Sequence, residues 1–90
     1  MSLKLQVIKD EILACVGVPD ETTLREDMYQ AICEPYLIDC GWYESGENGN
    51  FITFLIKDKD WDTPIIKITT QNIEDAKWSI KVCKEYLGNR

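Results

Sequence analysis

The chain has 90 residues, 44% of them apolar, and a formal net charge of −6 with no histidine. That length suits one small α+β domain over residues 1–90 with a single core. The charge argues against direct binding to nucleic acid or an anionic membrane, where Lys and Arg must neutralise phosphate, and the lack of histidine removes Ser-His-Asp and Cys-His catalysis.

In chain order, Leu5, Ile8, Ile12 and Cys15 step by three and four, which predicts a first helix over residues 3–16. Lys4, Lys9, Asp10 and Glu11 interrupt its apolar residues, so it reads as neither a membrane span nor a signal segment, and a cytoplasmic chain is expected. Gly17 and Pro19 stop this helix. Thr23 with Glu26 forms a capping box that opens a second helix near Leu24, carrying Met28, Ala31 and Ile32 inward.

Pro35 cannot donate a backbone hydrogen bond and ends that helix near Cys33. The alternative is a helix kinked at Pro35 that continues to Asp39. The stretch YLIDCGWY is read as the first strand, and ESGENGN as a turn centred on Asn48-Gly49. FITFLIK is apolar on both faces and predicts a strand covered on both sides, while PIIKITT, opened by a proline, reads as an edge strand. Ile73, Ala76, Ile80, Cys83 and Leu87 mark a last amphipathic helix, with Asn72 as cap, Glu74 and Asp75 near its start, Lys81 and Lys84 near its end, and Gly88 closing it. The expected architecture is ααβββα: a three-stranded antiparallel meander with the C-terminal helix packed on it.

Four cysteines without a Cys-x-x-Cys pair fit reduced, buried thiols better than a disulfide framework or a zinc site, and no cofactor is expected. Residues 20–50 carry eight acids, Asp20, Glu21, Glu26, Asp27, Glu34, Asp39, Glu44 and Glu47, against Arg25 alone. If the second helix and the following strand pack together, these carboxylates form a negative face that steers a basic protein partner. The blander account is solubility, capping and turn chemistry.

Asp58, Asp60 and Asp62 match the first three ligand positions of a calcium-binding EF-hand loop. Thr63 and Thr69 then stand where the glycine and the bidentate glutamate belong, and Lys57 and Lys59 offset the charge. A polar hairpin connection explains the same residues. Trp61, in that connection, either folds back on the core or stands as an anchor for a partner. Trp42 and Trp78 read as core or core-edge residues, and Phe51 with Leu55 would offer a homodimer or partner patch if the N-terminal helices left them bare.

The carboxylate pairs Glu44/Glu47 and Asp58/Asp60 lie in predicted turns without a pocket, so the chain is read as non-catalytic. The leading expectation is an interaction module, of inhibitor, immunity or adaptor type, whose partner-binding residues are the eight acids and Trp61. The alternatives are a calcium-binding protein using the aspartate hairpin and an acidic nucleic-acid mimic.

Overall fold

Among the described residues of the first half of the chain, strands stand where helices were expected. The computed structural model describes residues 5–14, 24, 28–45 and 48–88. It contains five strands, β1 (Gln6–Asp10), β2 (Tyr29–Cys33), β3 (Tyr36–Ser45), β4 (Asn48–Lys57) and β5 (Ile66–Thr70), followed by one helix, α1 (Ile73–Gly88). The strands form a single antiparallel meander in chain order, β1-β2-β3-β4-β5, in place of the expected three-stranded sheet.

Both N-terminal helices are thereby corrected where the structure describes them. Gln6–Asp10 lies antiparallel to Tyr29–Cys33, with Gln6 opposite Ile32 and a bulge between Val7 and Lys9. Ile8, placed on the inward stripe of the predicted helix, is instead 55% exposed. Ile12 does reach the core, but by another route: the N–H groups of Ile12, Leu13 and Ala14 donate to Asp10 Oδ1 at 3.1, 2.7 and 3.4 Å, and the turn this makes swings Ile12 inward. In β2 the alternate residues Tyr29, Ala31 and Cys33 are buried, the period of a strand. Pro35 does not end or kink a helix. It sits in the tight turn Glu34-Pro35 between β2 and β3, after a cis peptide bond, as in type VI turns. The capping box of Thr23 and Glu26 lies outside the described residues.

The second half follows the expected order with a shifted turn. Strand pairing between β3 and β4 continues from Tyr36↔Lys57 to Ser45↔Asn48, so Asn48 and Gly49 belong to β4 and the connection is residues 46–47. Gly49 is required for space: a Cβ there would fall 2.0 Å from Cζ2 of Trp42, whose indole lies across it. Trp42 also meets Phe51 edge-on, with ring centroids 4.9 Å apart.

Helix α1 is set by Asn72, whose Oδ1 accepts from Asp75 N–H at 2.8 Å while its own Nδ2 donates back to Asp75 Oδ2 at 3.0 Å. Its last turn carries no basic residue, so Lys81 and Lys84 fall short of the dipole end expected for them. The helix buries Ile73, Ala76, Ile80, Cys83 and Leu87 against Tyr29, Ala31, Ile38, Cys40, Phe51 and Leu55 of the sheet. Phe51 and Leu55 are therefore the floor beneath α1, and the patch they would have offered to a second copy is filled from within the chain. The opposite sheet face carries Ile32, Leu37, Ile52 and Phe54, all half-buried, and the fully buried Ile56. Among the described residues no helix is long and apolar enough to cross a membrane.

Candidate functional site

The connection between β4 and β5, residues 58–65, is built by backbone geometry first. Asp58 and Lys59 have φ of 58° and 61°, and Asp60 N–H donates to the Lys57 carbonyl at 3.1 Å, which makes a tight reversal of the type I′ form. Asp tolerates such angles; a lysine there is unusual. Asp58 N–H donates to the Pro35 carbonyl at 2.9 Å, so the β2–β3 turn carrying Glu34 and this connection form one end of the sheet. Ile65 N–H then donates to Leu55 O at 2.8 Å and returns the chain to β5.

Within the connection Asp60 acts as a local brace. Its carboxylate accepts from the Thr63 hydroxyl in a short hydrogen bond, and from the N–H groups of Asp62 and Thr63 at 3.2 and 3.3 Å. The Thr63 hydroxyl, ahead of the two N–H groups, holds the Asp60 carboxyl below its ordinary value. Asp58, Asp60 and Asp62 do not converge on a cation position, and among the described residues no group of three or more His, Cys, Asp or Glu side chains could hold a metal. Turn chemistry accounts for Asp60, whose carboxylate is taken up by its own turn.

Trp61 is 48% exposed, yet its ring meets Phe54 edge-on at 5.8 Å between centroids. Phe54 lies on the sheet face away from α1, because its neighbours Thr53 and Leu55 point to the helix. Lys67 of β5 stands 5.8 Å over the same Phe54 ring. The two outcomes foreseen for Trp61 are thus combined: one edge folds back and half the side chain faces solvent.

The acidic residues separate into distinct places. Glu34 is exposed in the β2–β3 turn, at the same sheet end as Trp61. Asp39 is only 6% exposed, faces Phe54 across the β3–β4 ladder, and accepts from Gln30 Nε2 at 2.9 Å. Glu44 stands near the far end of β3, where Oε1 accepts from Trp42 Nε1–H at 3.3 Å. By the alternation of β3, Asp39 lies on the sheet face away from α1 and Glu44 on the α1 side, about 33 Å of extended chain from Glu34, so the described acids do not share one face. Asp20, Glu21, Glu26, Asp27 and Glu47 lie outside the described residues.

The seam between sheet and helix holds the buried polar chemistry. Ser79 Oγ–H donates to the Ala76 carbonyl at 2.7 Å, so in the 2.6 Å hydrogen bond between the two hydroxyls Thr53 is the donor and Ser79 Oγ accepts, while the protonated Cys40 thiol, 3.0 Å from Thr53 Oγ1, donates to it. Burial pushes the Cys40 thiol up to about 11, and burial together with the proximity of Cys40 pushes the Cys83 thiol up to about 12. Thiols held protonated in this way are poor nucleophiles at neutral pH.

Two features escaped the sequence reading. Phe54 supports Trp61, a relation visible only once the connection folds over β4. Trp78, assigned to the core or its edge, is 57% exposed; its position next to Lys77 and three before Lys81, off the Ile73-Ala76-Ile80 stripe, was the available signal. Comparison with protein-family models, curated proteins and solved structures finds no match for this chain.

Proposed function

We propose that the chain is a non-catalytic protein-interaction module that offers Trp61, set among carboxylates at one end of the sheet, to a basic surface on another protein. The observation that carries this reading is the half-exposed indole held edge-on against Phe54. An aromatic side chain already oriented by a neighbour loses less conformational freedom on docking, and tryptophan is enriched among residues that dominate binding energy.

Charge supports the same partner. Glu34, Asp58, Asp60 and Asp62 lie at this end against Lys57, Lys59 and, over Phe54, Lys67, in a chain whose net charge is −6. Such a field speeds encounter with a cationic surface and weakens with salt. The calcium alternative is disfavoured, because Asp60 spends its carboxylate on its own turn.

The test is affinity capture from the native host with the wild type, Trp61→Ala and a Glu34→Gln/Asp58→Asn/Asp62→Asn variant, with Asp60 kept to preserve the turn. The expected result is a partner with a basic surface whose affinity drops by about tenfold or more on loss of Trp61 and falls with ionic strength. Equal, salt-independent retention by all three proteins would overturn the reading. Recovery of a nucleic-acid-binding protein, displaced by DNA or RNA, would favour nucleic-acid mimicry instead.

A further inference from the structure

On the opposite side of the sheet from Trp61, the surface of α1 around Trp78 gathers three lysines, while Glu74, Asp75 and Glu85 lie exposed on the same helix. Lys77, Trp78, Lys81 and Lys84 line a groove of about 480 Å³ whose described lining also includes Leu13, carried there by the turn braced on Asp10. Among the described residues this lining has three ammonium groups and two apolar side chains, and Glu74 borders it through its pairing with Lys77. Among the described residues Trp78 is the most exposed large apolar side chain, at 57%. Two lysines are positioned by neighbours: Lys84 stands 5.6 Å over the Tyr29 ring, and Lys77 lies 3.8 Å from Glu74.

We infer that this groove is a second docking site, for a short acidic peptide segment of another protein that carries one large apolar side chain. The apolar side chain would pack on Trp78 and Leu13 while flanking carboxylates meet Lys81 and Lys84. Each half of the requirement comes from the lining: a tryptophan with an aliphatic wall favours an apolar anchor, and lysines around it favour anionic neighbours. A volume of about 480 Å³ exceeds that of any single side chain, so neighbouring residues of a short segment fit beside the apolar one. Nucleic acid and anionic membrane are weaker candidates, because a long polyanion would be repelled by the net charge of −6. A short segment presents its charge to the groove alone. With Trp61 on the other face, the domain would then have two docking surfaces of opposite charge preference.

The test uses synthetic acidic peptides of about ten residues with a central Leu, Phe or Trp, a matched acidic peptide lacking the apolar residue, a short DNA duplex, and phosphatidylserine vesicles. Binding to the full chain is read by fluorescence anisotropy or, for vesicles, by sedimentation. At least one apolar-anchored peptide is expected to bind, with affinity reduced about tenfold or more by Trp78→Ala and by Lys81→Glu, both solvent-facing positions. The peptide without an anchor should bind several-fold more weakly, and Trp61→Ala should leave all values unchanged, which separates this site from the one proposed above. No peptide binding at millimolar concentration, equal affinity for Lys81→Glu, or tighter binding of duplex or vesicles would overturn the inference.

Discussion

Thr53 of β4 and Ser79 of α1 share a 2.6 Å hydrogen bond across the seam between sheet and helix, with both residues fully buried. The pair locks the position of α1 along the sheet, because each hydroxyl is also tied elsewhere, Thr53 to Cys40 Sγ and Ser79 to the Ala76 carbonyl. Removing one hydroxyl weakens the satisfaction of a buried neighbour, whereas removing both leaves an apolar contact of similar shape. Thr53→Val and Ser79→Ala are each expected to lower stability by about 1–2 kcal/mol, with the double variant about 1 kcal/mol less destabilised than the sum. Urea denaturation of the four proteins measures this; strict additivity would show that the two hydroxyls do not act together.

Gly49 gives a second prediction, from space alone. A methyl group there meets the Trp42 indole at 2.0 Å, so the ring must leave its contact with Phe51 and its hydrogen bond to Glu44. Gly49→Ala is expected to destabilise by about 1–3 kcal/mol, although alanine is otherwise favoured over glycine in a strand. In a Trp42→Val background the penalty should disappear. If it persists there, the indole is not its cause.

Lys59 gives the opposite sign. At φ of 61° its side chain crowds the backbone, and glycine takes that conformation without strain. Lys59→Gly is therefore expected to stabilise by about 1 kcal/mol, less whatever glycine adds to the freedom of the unfolded chain. A thermal melt decides it, and a lowered midpoint would mean that the lysine is held there by a favourable contact.

Alkaline pH tests the buried thiols. Below pH 9.0, the ordinary thiol value, both native and unfolded chains keep Cys40 and Cys83 protonated, and their burial carries no pH-dependent penalty. Above it the unfolded chain loses protons that the native chain retains until about 11 at Cys40 and about 12 at Cys83. Tyr29, raised from 10.0 to about 12 by burial and by Asp10, adds to the trend from pH 10.0 upward. Stability should thus fall as pH rises from 9 towards 11, by up to about 1.4 kcal/mol per pH unit for each thiol. Urea midpoints between pH 8 and 10.5 should show this slope, and Cys83→Ala should make it shallower. A flat profile would place the thiols in contact with water.

The sequence alone determined the run from β3 through β4 to β5, the helix after it, the acid excess of residues 20–50, and the braced aspartate connection carrying Trp61. These are features with local causes: alternation bounded by turn residues, an unbroken three-four spacing capped by Asn72, and side chains that bond their own backbone. Tertiary structure decided β1 and β2, whose short apolar runs satisfy a helical and an extended period alike. Leu5, Ile8 and Ile12 fit one helix face, but Gln6 finds its partner at Ile32, and a hydrogen-bonding ladder between segments so far apart leaves no mark within either. The exposure of Trp78 was likewise decided by packing, since α1 could turn only one stripe to the sheet. Which aromatic side chains remain available to a partner is settled by what covers them, and for Trp61 and Trp78 that depends on contacts between elements distant in the chain or packed across the sheet.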